Sequence, residues 1–177
     1  NFSQAQVPTL LQRVPKKRGA FYDTDLQRQS LDYIRCDSQV ILHRVLKLCQ
    51  TVKEQSENKL FTFAQFGYFT ESYLHKELQL ALKNPYLDGM GPAPPYINRG
   101  PGDDIMDHGP AESIRQNGKV WLFQADVRSH LADAHNWRYG RTHNEEESLA
   151  VYLRDLGHYM TTGTTPYYLN FERWFDT

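Results

Sequence analysis

Cysteine is scarce in this 177-residue chain, with only Cys36 and Cys49 present. Thirteen positions apart on one predicted helix, they would stand about 20 Å from each other. A disulfide needs Cα atoms within about 7 Å, so the two thiols are not partners, which suits a reducing compartment inside the cell. Long apolar runs are also missing. Without a stretch of about 18 apolar residues the sequence offers no membrane span. Charge of one sign is not in excess, because a net charge of −1 lacks the strongly basic balance of a typical nucleic-acid-binding domain. Internal repeats and low-complexity tracts are absent too. The first residue is Asn1 rather than methionine, which reads as a trimmed or processed chain and suits an organelle such as the mitochondrion.

Proline and glycine are abundant in one place. Six of nine prolines (Pro85, Pro92, Pro94, Pro95, Pro101 and Pro110) and six of eleven glycines fall between Asn84 and Gly118. Each proline fixes φ and withdraws a donor, so 84–109 is expected to be neither helix nor interior strand, but a long connection over the surface. A second concentration is basic. Residues 1–22 hold Arg13, Lys16, Lys17 and Arg18 with no acid, an arm of +4 that leaves −5 for the rest of the chain. The 23 aromatics (Trp 3, Tyr 11, Phe 9) are many, and rings of this kind gather where one end is buried and the other wet.

Helical signals dominate the remainder. Asp23, Thr24 and Asp25 can open a helix over about 26–56, whose apolar positions Ile34, Ile41, Val45, Leu48 and Val52 form a stripe, with a break expected near Cys36-Asp37-Ser38 if the helix is not continuous. An aromatic connection from Leu60 to Phe69 leads to a second helix at about 71–83, capped by Thr70 and stopped by Asn84-Pro85, so the pair reads as a helical hairpin. Pro110 and Gly118 bracket a short helix. Val120-Trp121-Leu122-Phe123 reads as a buried strand, and Asp126 as the cap of a short helix to Ala134. The clearest helix spans 145–156, with Asn144 as N-cap, Glu145, Glu146 and Glu147 in its first turn, Leu149, Tyr152, Leu153 and Leu156 on one face, and Gly157 as its stop. A last helix begins near Pro166 and gathers Tyr167, Phe171, Trp174 and Phe175.

Chemistry-bearing patterns are few. His108, His130, His135, His143 and His158 share a stretch with Asp104, Asp107, Asp126 and Asp133, a ligand set that zinc or non-haem iron could use. Their spacing matches no metal motif, because residues five apart lie on different helical faces. Gly-x-Ser-x-Gly is absent, and neither Gly89-Met90-Gly91 nor Gly100-Pro101-Gly102 opens a phosphate-cradling helix. The residues single out no catalytic side chain, no cofactor and no small-molecule substrate. One segment resembles a known family: Asp133-Ala134-His135-Asn136-Trp137-Arg138 with Gly140-Arg141-Thr142 is similar to a stretch of the DNA-binding domain of the calmodulin-binding transcription activators. The resemblance covers about ten residues and lacks the lysine-rich run that follows the tryptophan there. It implies phosphate contacts by Trp137, Arg138 and Arg141 together with the basic arm.

The resulting expectation is a mainly α protein with long irregular proline-rich segments, at most a small β element, and a helical hairpin in its N-terminal half. Its organisation is a basic arm at 1–22 and one domain at 23–177, divided by the 84–109 connection. Segments at 1–22, 84–109 and 160–177 are too irregular to build a core yet rich in anchors such as Leu10, Leu11, Tyr86, Tyr96, Tyr168, Phe171 and Trp174. Such segments gain order on a partner. The function expected is that of a non-catalytic accessory or interaction subunit of a larger protein assembly, with Arg13, Lys16, Lys17, Arg18, Tyr86, Tyr96, Trp137, Arg138 and Trp174 as partner-binding residues. The alternatives are a nucleic-acid-binding module and a small metal-dependent enzyme using the 108–158 histidines.

Overall fold

The computed structural model describes residues 6–14, 21–65, 76–106, 109–133 and 140–169. Helix α1 runs unbroken over Arg28–Gln55, so the Cys36-Asp37-Ser38 stretch does not interrupt it. Its buried positions are Ser30, Ile34, Ser38, Leu42, Leu46, Cys49 and Lys53. The stripe that periodicity marks is a neighbouring one, and it leaves Leu48 and Val52 exposed. Before α1, Asp23 Oδ1 accepts from the N–H groups of Asp25 and Leu26 at 3.1 and 3.0 Å. A 3-10 turn at Leu10–Arg13 lies against this start, held by Ser30 Oγ on the Gln12 carbonyl and Gln27 Nε2 on the Val14 carbonyl, both at 2.7 Å.

Four short strands follow in alternation with three helices: β1 (Phe63–Ala64), α2 (Leu78–Lys83), β2 (Gly89–Met90), α3 (Ala111–Gln116), β3 (Val120–Ala125), α4 (Glu145–Thr162) and β4 (Thr165–Tyr168). They form one sheet in the order β1-β2-β3-β4, and every pair is parallel. The expectation of a mainly α chain is therefore wrong, and the fold is α/β. Among the described residues α1 and α2 are joined through β1 and both pack on the sheet, rather than forming a helical hairpin. Two-residue strands escape a reading based on periodicity, since they are shorter than the alternation that would mark them.

The proline segment holds the largest surprise. Its first half threads β2 between β1 and β3, with Leu87, Met90 and Ala93 buried, while 96–98 and 101–104 run exposed over the surface. Glycine makes this passage possible. A Cβ at Gly91 would stand 1.5 Å from the Leu122 carbonyl oxygen, so only a residue without one can cross β3 so closely. The prolines avoid cost by accepting only: Gln124 N donates to the Pro92 carbonyl at 3.2 Å.

Register places Ala64, Met90 and Trp121 on one face of the sheet. These join Leu42, Leu46, Cys49, Ala81, Leu87, Ala111 and Ile114 in the main core, with a smaller cluster of Phe123, Ala125 and Tyr159 beneath α4. The described helices therefore cover one face, as right-handed crossovers between strands in sequential order require. On the other face stand Phe63, Gly89, Val120, Leu122, Gln124 and Tyr167. The rings of Phe63 and Tyr167, from the first and last strands, meet at 5.6 Å between centroids. Flat strands about 4.8 Å apart would hold β1 and β4 about 14 Å from each other with side chains standing upright. The sheet is thus curled, and the face without a described helix is concave.

Helix α4 has the predicted cap, Asn144 Oδ1 accepting from Glu147 N at 2.9 Å, but it passes through Gly157 and ends at Gly163, which adopts φ +68°. Its buried residues are Ser148, Val151, Asp155 and Tyr159, while Leu149, Leu153 and Leu156 are exposed. Neither the short helix expected after Asp126 nor a helix at the start of the aromatic tail forms among the described residues. The former stretch is irregular, and Thr165–Tyr168 pairs with β3 as a strand.

Candidate site at the carboxyl edge of the sheet

Each strand of a parallel sheet ends in a loop, and the loops at the carboxyl ends converge around any ligand site. Here Gln124 near the end of β3 is followed at alternate positions by Asp126 and Arg128 in the chain just beyond it. The loop after β2 brings Tyr96 and Arg99 to the same place. Arg99 Nη2 lies 2.8 Å from Asp126 Oδ1, Arg128 Nη1 lies 3.2 Å from Oδ2, and the Tyr96 hydroxyl donates to Oδ2 at 2.6 Å. Asp126 and Arg99 are buried. Isolated charges at that depth would be very unfavourable, so Asp126 and Arg99 stand there only as a pair, with Arg128 as a second cation on the same carboxylate.

Arg99 is held from several sides. Its Nε and Nη2 donate to the carbonyls of Pro95 and Pro94 at 2.7 and 2.9 Å, and its guanidinium lies 4.0 Å from the Tyr96 ring centroid. Gly140, at φ +83°, leaves the space for it, since a Cβ there would fall 2.6 Å from Arg99 Cβ. The proline segment is irregular because it shapes this socket. Burial pushes the Tyr96 hydroxyl to a higher pKa, and its hydrogen bond to the Asp126 carboxylate adds to the effect. The phenol therefore stays a donor at neutral pH.

On the concave face beside this cluster, Gln124 Oε1 accepts from Gln65 Nε2 at 2.6 Å and from the Tyr167 hydroxyl at 2.9 Å. Gln65 is exposed, and Gln124, Tyr167 and Phe63 are half-buried. Polar groups from the β1 loop, β3 and β4 thus meet in a patch with aromatic walls and no net charge. Behind it, burial raises the pKa of the Asp155 carboxyl on α4, with Arg154 opposing. Arg154 bonds that carboxylate at 2.6 Å and the Gly100 carbonyl at 2.6 Å, which ties α4 to the proline loop.

The opposite, amino edge is built for cohesion. Lys53 Nζ meets Asp88 Oδ2 at 2.5 Å and the Leu60 carbonyl at 2.9 Å. Asp88 also accepts from Thr62 N at 2.7 Å, and Lys119 Nζ binds the carbonyls of Asn84 and Leu87 at 2.5 and 2.7 Å. A groove of about 480 Å³ between α3 and the end of α4, lined by residues such as Pro110, Arg115 and Thr162, shares no residue with the carboxyl-edge cluster.

Of the residues expected to bind a partner, Tyr96 belongs to this site. Tyr86 does not: it packs against the main core, and its carbonyl accepts from the Thr62 hydroxyl. Arg13 is turned onto its own chain, donating to the Pro8 carbonyl at 2.8 Å with its guanidinium 4.4 Å from the Tyr33 ring centroid. Lys16, Lys17, Arg18, Trp137, Arg138, Phe171 and Trp174 lie outside the described residues, as do His108 and His135. Arg141 donates to the carbonyls of Ala132 and His130 at 2.6 and 2.5 Å, which commits it to the loop rather than to a phosphate. Among the described residues no group of three His, Cys, Asp or Glu side chains could hold a metal ion, and no helix is long and apolar enough to cross a membrane. Gln65, Gln124, Arg99 and Arg128 are the residues that sequence reasoning missed, and Asp126 reads from sequence as a metal ligand or helix cap instead. Polar residues alternating beyond an apolar strand, Gln124-x-Asp126-x-Arg128, were the available signal. Comparison with protein-family models, with curated proteins and with solved structures found no match.

Proposed function

We propose that this chain supplies a binding site for a small, uncharged, hydroxyl-rich molecule at the carboxyl edge of a curled parallel sheet, in the position where α/β enzymes hold substrate. The observation that carries this is the meeting of Gln65, Gln124 and Tyr167 from three separate strands or their loops on one concave face. Amide and phenol groups offer both donors and acceptors without charge, and the adjoining rings offer flat apolar contact. The neighbouring cluster sets the Asp126 carboxylate against the guanidiniums of Arg99 and Arg128 and so orients the loops that carry them. The alternative reading, a non-catalytic assembly subunit, rests on the irregularity of 1–22, 84–109 and 160–177 and their apolar anchors, and the socket around Arg99 offers a cause within the chain for the middle segment alone.

The test uses glucose as a neutral polyhydroxyl probe and glucose 6-phosphate as its charged counterpart, with binding followed through the side-chain amide resonances of Gln65 and Gln124. Glucose is expected to shift both amides at millimolar concentration, typical of a small, partly open site, and no longer to shift the Gln65 amide in Gln124→Leu. Preference for the phosphate, or no shift of either amide with either probe, would overturn the proposal.

A further inference from the structure

Parallel sheets are normally covered on both faces, yet the described helices occupy one face and none lies on the other, concave one, whose side chains are half-buried. Both edge strands, β1 and β4, lack a further strand among the described residues. The helices at the two ends of the series carry a second apolar face. On α4 it comprises Leu149, Leu153, Leu156 and Met160, exposed by 59, 58, 43 and 75 %, and on α1 it includes Leu48 and Val52, exposed by 70 and 40 %. The inner helices differ, since Leu78, Leu80 and Leu82 of α2 and Ile114 of α3 all pack against the core.

We infer that these four parallel strands and their helices are half of a closed, eight-stranded parallel barrel, completed by four further strands with their helices from other polypeptide. The order β1-β2-β3-β4, the single helical layer and the inward curl are the geometry of such a barrel. Eight strands is the number at which side chains from the strands fill the interior, and Phe63, Leu122 and Tyr167 already point into that space. The missing half would add parallel strands at β1 and β4 and lay apolar helices on the stripes of α1 and α4. Pro166 in β4 withholds one backbone donor at that edge. Its loss is tolerable near a strand start. A peptide or lipid in the concave face would leave both helical stripes uncovered, so βα units are the occupant that satisfies all the open surfaces together.

The 177-residue chain is examined by light scattering, by binding of the dye ANS and by hydrogen exchange, beside Leu149→Lys/Leu153→Lys. The expected result is a folded monomer that binds dye, exchanges quickly at the β1 and β4 amides and slowly in β3. The double variant should keep its circular dichroism while dye fluorescence falls by about twofold or more, because the dye sits on the exposed stripe. A two-fold dimer with protected β1 and β4 amides would overturn the assignment to other polypeptide by making a second copy the occupant. A monomer that binds no dye and protects both edges would overturn the half-barrel itself.

Discussion

At the residue scale the two edges of the sheet respond differently to loss of a carboxylate. Burial alone would push the Asp88 carboxyl upward, but its bond from the Lys53 ammonium and those from Thr62 outweigh it and hold the group below its ordinary value. A carboxyl with a depressed folded pKa stabilises above the unfolded value of about 4, and that contribution is lost as pH falls through the folded value. Asp88→Asn is therefore expected to cost about 2 kcal/mol at pH 7, leaving Lys53 without its counter-ion, and the gap to wild type in urea midpoint should close below about pH 4. A gap that persists into acid would remove the ion pair from the explanation. Asp126→Asn strikes a deeper pair, with both side chains almost fully buried. It should cost about 3–5 kcal/mol, because Arg99 is left as a buried charge facing Arg128. Neither carboxylate was identifiable from sequence, since Asp126 after a strand reads equally well as a helix cap, and its arginine partner lies 27 positions upstream.

At the element scale the legible parts were those with local causes. Asn144, the acidic first turn and Pro85 after α2 acted as their chemistry dictates, because caps and stops involve neighbours within a turn. Which face of α1 and α4 is buried was not legible, since each helix has two apolar-compatible faces and the sheet selects one with small or polar residues such as Ser38, Ser148 and Asp155. The stop of α4 also differs from the expected one. Gly157 sits within the helix with open space for 4 Å around the place a Cβ would take, whereas Gly163 lies at φ +68° with Arg115 Nη1 2.1 Å from where a Cβ would be. The two glycines should then respond oppositely. Gly157→Ala is expected to stabilise by about 0.5–1 kcal/mol through helix propensity, and Gly163→Ala to destabilise by at least about 1 kcal/mol through left-handed strain. Thermal unfolding of the two variants checks this, and a matching sign for both would mean that α4 does not end at Gly163.

At the scale of the whole molecule the curl of the sheet was invisible to sequence, because it depends on contacts between strands that are separated by about a hundred residues. Phe63 and Tyr167 give it a measurable form. Their rings meet edge to face at 5.6 Å, although β2 and β3 lie between their strands. Aromatic pairs of this geometry contribute about 0.5–1.5 kcal/mol beyond the area they bury. A double-mutant cycle of Phe63→Leu and Tyr167→Leu should accordingly show a coupling of that size, whereas residues on the outer strands of a flat sheet would be too far apart to couple. Tyr167→Phe serves as the control, because it retains the ring contact and loses only the hydrogen bond to Gln124. Its single effect should be smaller than that of Tyr167→Leu, and coupling with Phe63→Leu should fall only slightly when Phe replaces Tyr. Zero coupling in the leucine cycle would mean that β1 and β4 do not face each other in solution, and the concave site would lose two of its three contributing strands.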